Sequence, residues 1–212
     1  MIVSESRKFV FVHIFKTAGT SVKRALRRYA MPGWQEPVNF FFKRMGIPQF
    51  GPRQWSDHFS AGQLIEEIGR QQFNSYFSFA FVRNPWDWEV SHYKYICRND
   101  RHVDHERVRK FVGFSDYLKW RCDGNFRLQR DYLTDGDDLV VDFVGRFERL
   151  DVDFAHVCSQ IGVKRRLPKL NRTRRRPFRE FYDANLVELI TKTYEPDIRL
   201  FEYEFDSGNG ET

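Results

Sequence analysis

The sequence predicts a single-domain α/β fold built on a parallel sheet flanked by helices, and three observations carry that prediction. Short runs rich in aromatic and β-branched residues stand at 9–14, 77–82 and 139–144, the pattern of strands buried on both faces. A helical pattern follows each of them, at 21–29, 86–97 and 151–161, and strands alternating with helices imply parallel crossovers. The chain has 212 residues, about the size one core reaches before a chain divides.

Taken in order, the first strand, Phe9-Val10-Phe11-Val12-His13-Ile14, runs into a loop containing Gly19 and then the first helix. The stretch 31–53 is rich in Pro, Gly and aromatics, including Phe40-Phe41-Phe42, and reads as a structured loop suited to form an acceptor-side wall. Ser60 is a candidate N-cap for a helix over 61–70, with Leu64, Ile65 and Ile68 on one face. Phe77-Ser78-Phe79-Ala80-Phe81-Val82 is the second strand and Leu139-Val140-Val141-Asp142-Phe143-Val144 the third. Near the end, Leu186, Leu189, Ile190 and Thr193 recur at helical spacing behind an Asp183 cap, and 195–201 forms a further short helix. The domain is expected to span 1–205, with a disordered tail over 206–212.

Hydrophobic residues make up 41% and charged residues 30% of the chain. No apolar run approaches the roughly 18 residues a membrane-spanning helix needs, and the apolar content excludes a wholly disordered chain. Lys and Arg number 35 against 29 Asp and Glu, a net charge of +6, which favours an anionic partner: nucleic acid, nucleotide or acidic glycan. Cys97, Cys122 and Cys158 are too few and too scattered for a disulfide framework or a CxxC metal site, so a reducing compartment is expected. The N-terminus lacks the pattern of a signal peptide, and a cytoplasmic location is the expectation.

Directly after the first strand comes Phe15-Lys16-Thr17-Ala18-Gly19-Thr20-Ser21. Backbone N–H groups at a helix start bind anions, a glycine lets the backbone approach closely, and Lys16 adds positive charge. The loop is not a Walker A motif, because Lys16 precedes Gly19 and GxxxxGK[ST] is absent. On its own it also fits an ordinary strand-to-helix turn. After the second strand comes Arg83-Asn84-Pro85-Trp86-Asp87-Trp88-Glu89-Val90-Ser91. Pro85 suits the first helical position, so Arg83 and Ser91 are placed to grip a second anion. A pairing of Arg83 with Asp87 is the competing reading.

The two segments together resemble the sulfotransferases: Lys16-Thr17-Ala18-Gly19-Thr20-Ser21 resembles their 5′-phosphosulfate loop, and Arg83 with Ser91 eight residues on resembles their 3′-phosphate site. Phe79-Ala80-Phe81-Val82-Arg83-Asn84-Pro85-Trp86-Asp87 is similar to the carbohydrate sulfotransferase branch, which includes bacterial members. The similarity continues through Val144-Gly145-Arg146-Phe147-Glu148-Arg149-Leu150 and Leu167-Pro168-Lys169-Leu170-Asn171. It implies a fold related to nucleotide kinases with their P-loop, the donor 3′-phosphoadenosine 5′-phosphosulfate (PAPS), and the product 3′-phosphoadenosine 5′-phosphate (PAP). It assigns Lys16, Thr17, Ala18, Gly19, Thr20 and Ser21 to the 5′ side, and Arg83 and Ser91 to the 3′ side. Phe15 and Trp88 depart from the branch, which usually has Pro and a basic or polar residue at those positions.

Sulfuryl transfer requires orientation of donor and acceptor, neutralisation of the departing phosphate and removal of the acceptor proton. Lys16 suits the leaving group. No metal is expected, and the one close His pair, His102 and His105, sits among charged residues as a solvated face would. His58, in Asp57-His58-Phe59-Ser60, stands where the carbohydrate branch often places its base; a structural role is the alternative, and some relatives use a Glu. Glu36, Glu89 and His92 come next. Nine Lys or Arg and no acid lie in 164–179, a segment suited to closing over the 3′-phosphate, Arg174 included, or to holding an anionic acceptor. The expected acceptor is a carbohydrate hydroxyl. The alternatives are a phosphotransferase on the same fold and a basic nucleic-acid-binding module, which no aromatic-rich RNA motif accompanies.

Overall fold

A computed structural model of the chain describes residues 1–30, 38, 41–42, 44–46, 59–124, 126–168 and 177–206. The main elements in chain order are β1 (Ile2–Ser4), β2 (Phe9–Val12), α1 (Gly19–Leu26), α2 (Ala61–Ile68), α3 (Arg70–Asn74), β3 (Phe77–Val82), α4 (Pro85–Arg98), α5 (His105–Val108), α6 (Phe114–Cys122), β4 (Thr134–Asp135), β5 (Asp138–Leu139), β6 (Phe143–Arg146), α7 (Leu150–Gln160), α8 (Ala184–Thr193) and α9 (Glu195–Leu200). The chain divides into two compact units. One comprises Met1–Val82 and Asp131–Leu170, the other Arg83–Arg130 and Asn171–Thr212.

The first unit holds a sheet of order β1-β2-β3-β6. β1 runs antiparallel to β2, while β2, β3 and β6 are mutually parallel, with Phe9 opposite Phe77 and Phe79 opposite Phe143. Every residue of β2 and five of six in β3 are buried, as apolar runs with no polar alternation require. Phe11 and Phe79 stack with centroids 5.2 Å apart, and Val22, Leu26, Phe154 and Val157 from α1 and α7 complete the core. Gly145 in β6 is a packing glycine, since a Cβ there would lie 2.5 Å from the Phe81 ring.

The first strand ends at Val12, two residues before the expected Ile14, and three other boundaries move for a local reason. The third strand begins at Phe143, not at 139. The Asp142 carboxylate accepts from both the N–H and the hydroxyl of Ser78, at 2.7 Å each, and its own N–H donates to the Ser78 carbonyl at 3.0 Å, so this clasp leads directly into the strand that starts at the next residue. Leu139 instead joins the two-residue β5 and is 43% exposed. The helix over 61–70 stops at Ile68, because Gly69 adopts φ 86°, which lets the chain turn and restart as α3. Its start is as expected: Ser60 accepts from Gln63 N–H, and the Gln63 side chain accepts from Ser60 N–H, a reciprocal capping box. The helix over 21–29 begins two residues earlier and tightens into a 3-10 turn over Arg27–Tyr29.

In the second unit, α4 starts on Asn84, whose side chain accepts from the N–H groups of Trp86 and Asp87, with Pro85 at the first helical position. Trp88, Glu89 and His92 are buried on this helix. α8 starts on Asp183, which accepts from Leu186 N–H at 2.8 Å. The tail beyond Asp206 lies outside the described residues.

Candidate functional site

The loop after β2 is shaped by its backbone. Lys16 and Ala18 have φ of 63° and 67°, the left-handed region that side chains adopt rarely and at a cost of order 1–3 kcal/mol each. Thr17 lies between them, fully buried, and its hydroxyl donates to the Ile14 carbonyl at 2.8 Å. That bond closes the loop from within. α1 then begins with no side chain capping it, and the N–H groups of Ser21 and Val22 bond to the Ala18 carbonyl. Left-handed residues followed by a helix start without a side-chain cap are the backbone features from which anion-binding nests are built. Thr20 is exposed and Ser21 half-buried, and neither hydroxyl is engaged with another described side chain. Lys16 is half-buried.

Gly19 serves a purpose the sequence did not reveal. Its φ is ordinary, but a Cβ would lie 1.8 Å from Cδ2 of His13. The glycine is therefore required by the imidazole packed on the start of α1, which gives His13 a structural place beneath the loop.

Arg83, the residue after β3, is 2% exposed. Its Nε and Nη2 donate to Asp87 Oδ2 at 2.8 and 2.6 Å, so the pairing weighed against an anion grip is present. The same pairing fixes the plane of the guanidinium. Its backbone is held equally firmly: Arg83 N–H donates to Gln129 Oε1 at 2.9 Å, and Gln129 Nε2 donates to the Arg83 carbonyl at 2.8 Å. Asp197, fully buried, accepts from the N–H groups of Gln129 and Arg130. Asp87 and Ser91 are four residues apart on α4 and so share a face, with Ser91 half-buried. Sequence reasoning missed Gln129 and Asp197, which carry no local motif and become legible only through the partners they meet.

Of the base candidates, His58 and Glu36 lie outside the described residues, as does Arg174. Glu89 is fully buried; it accepts from Tyr117 Oη at 2.6 Å and Tyr194 Oη at 2.7 Å, and pairs with Arg121 at 3.4 Å. His92 Nδ1 meets Tyr117 Oη at 3.0 Å. Burial, reinforced by the Glu89 charge, pushes the Tyr117, Tyr182 and Tyr194 phenols well above their usual range, so they stay protonated and donate. Glu89 and His92 are thus both engaged in a buried hydrogen-bonded network. His105 Nδ1 lies 2.8 Å from the Ile96 carbonyl near the end of α4. Among the described residues no group of His, Cys, Asp or Glu is arranged to hold a metal ion, and no helix is long and apolar enough to cross a membrane.

A strand, a left-handed turn and an uncapped helix start give this α/β protein a loop of the form that anion-binding backbones take. The family model described as "Sulfotransferase family" matches residues 1–204, and the chain belongs to that family; it is an enzyme of sulfuryl transfer. An uncharacterized protein of Archaeoglobus fulgidus is 33% identical over 110 residues, covering 50% of this chain and 85% of its own. The crystal structure of mouse sulfotransferase SULT7A1 complexed with PAP aligns over 98% of this chain and 88% of its own, at 14% identity and a TM-score of 0.49.

Proposed function

We propose that the protein transfers a sulfuryl group from PAPS to a hydroxyl of a carbohydrate or glycan-containing acceptor, as the branch its motifs resemble would do. The observation that supports this best is the loop itself, where two left-handed residues flank a buried Thr17 ahead of an uncapped helix. Such a cradle is stabilised when an anion occupies it. The loop takes the 5′ phosphosulfate, and Arg83, Ser91 and Arg174 take the 3′-phosphate. During transfer the S–O bond to the donor phosphate breaks while a bond forms between sulfur and the acceptor oxygen. PAP leaves with the additional negative charge and Lys16 neutralises it; the acceptor proton passes to His58. A positioned base is worth roughly a hundredfold to ten-thousandfold.

Radiolabelled PAPS offered with a panel of glycans, lipids and phenols tests the reading. Label should enter a carbohydrate hydroxyl, and Lys16→Ala should depress turnover far more than PAP affinity, because the Lys16 interaction strengthens as charge builds. Transfer to phenols alone would refute the acceptor class. Near-normal turnover of Lys16→Ala at saturating donor would refute the role of Lys16.

A further inference from the structure

The edge of the sheet opposite the loop carries a charge arrangement that donor chemistry does not explain. β2 runs from Phe9 to Val12 into the loop, and α1 returns antiparallel, so its last turn ends beside the start of β2. There the Ser4 hydroxyl, on a residue paired with Phe9, donates to the Tyr29 carbonyl at 2.5 Å. Three guanidiniums, from Arg7, Arg28 and Arg165, each stand 5.7 Å from the centroid of the Tyr29 ring. They come from three separate parts of the first unit. Arg165 Nε donates to Tyr29 Oη at 3.3 Å and Arg7 Nη1 to the Gly162 carbonyl at 3.3 Å, so two of the three are held in place. Arg27, Lys164 and Arg166 are exposed nearby in the chain. No carboxylate among the described residues forms an ion pair with any of the six. Like charges gathered on one ring without a counter-charge repel, and an anionic ligand relieves that repulsion.

We propose that this arginine-ringed Tyr29 is a second binding site, remote from the donor loop, and that it takes an acidic polysaccharide. The side chains select that occupant. Five of the six cations are Arg, whose planar fork pairs with discrete sulfate or carboxylate groups, whereas a diffuse charged plane is served equally by Lys. The Tyr29 ring at its centre is covered by guanidiniums instead of standing bare for a nucleobase to stack on. None of the exposed large apolar side chains among the described residues falls in 1–30 or 161–168, so the described surface there offers no apolar wedge for a bilayer. The proposal does not depend on the donor or acceptor reading, because occupancy of this edge requires neither nucleotide nor turnover.

The test is nucleotide-free binding of a labelled dextran sulfate oligosaccharide, with uncharged dextran as the blank. Three proteins are compared: wild type, the triple variant Arg7→Gln/Arg28→Gln/Arg165→Gln, and a triple of equal charge change on the second unit, Arg98→Gln/Arg109→Gln/Lys110→Gln. The first triple should bind more than tenfold more weakly, with its log–log salt slope shallower by about 3, one per lost contact. The second should stay within twofold of wild type. Circular dichroism and thermal midpoint establish that the variants fold, and Arg28→Gln alone, which removes only a ring contact, should show an intermediate loss. Equal losses in both triples would reduce the effect to net charge and overturn the site. Unchanged binding in the first triple would overturn it as well. Tighter binding of uridine homopolymer RNA or phosphatidylserine vesicles than of dextran sulfate, lost in the same triple, would overturn the polysaccharide assignment.

Discussion

The loop after β2 and the surroundings of Arg83 solve opposite problems. In the loop it is Thr17 that turns inward, its hydroxyl donating to the Ile14 carbonyl, and the first turn of α1 goes without a side-chain cap. Around Arg83 the side chains answer one another. Asp87 holds the guanidinium, Gln129 both backbone groups and Asp197 the backbone of Gln129, while Glu89 gathers two phenols and Arg121. The loop has its left-handed residues and uncapped helix start already in place; the buried arginine owes its fixed plane to a carboxylate that any phosphate must work beside. The difference teaches that stability and ligand readiness sit on different residues, and substitutions should separate them.

The largest loss is expected at Glu89. Glu89→Ala leaves Arg121 buried without its carboxylate and should cost about 3–5 kcal/mol in urea unfolding, with Glu89→Gln milder. A small effect would mean that the interior around α4 is not the self-satisfied one described. Gln129→Ala comes next. It strips the buried N–H and carbonyl of Arg83 of their partners, at about 1–3 kcal/mol for each, and should also weaken PAP binding by releasing Arg83. Gly19→Ala should cost about 1–3 kcal/mol by overpacking, and the cost should shrink in a His13→Ala background, a non-additivity that a double-mutant cycle reads directly. Smallest is Thr17→Val, at about 0.5–1.5 kcal/mol for one hydrogen bond. Because that hydroxyl faces inward, PAP affinity should follow loop stability and show no specific loss.

Much of the scaffold was legible because it is local. The aromatic runs at β2 and β3, the caps at Ser60 and Asp183, and the first-position Pro85 each announce themselves within a few residues. The third strand did not, since its start is decided by Asp142 meeting Ser78, 64 residues away in the chain. The loop was legible as a motif, but the reason for Gly19 was not, because it lies in the position of the His13 ring. Arg83 was read from its spacing to Ser91, while Gln129 and Asp197, which hold it, come from distant segments with no pattern of their own.

The proposed function requires that the protein bind a nucleotide phosphorylated at both the 5′ and 3′ positions, and that Arg83 contribute to that binding. Thermal unfolding with PAP and with AMP, on wild type and on Arg83→Gln, tests it most directly. At a hundredfold excess over Kd a ligand stabilises by about 2.7 kcal/mol, a shift of roughly 5–10 °C for a chain of this size. Wild type should shift by that amount with PAP and by much less with AMP, and Arg83→Gln should lose the difference. Equal shifts with the two nucleotides, or a PAP shift that Arg83→Gln leaves intact, would contradict the account.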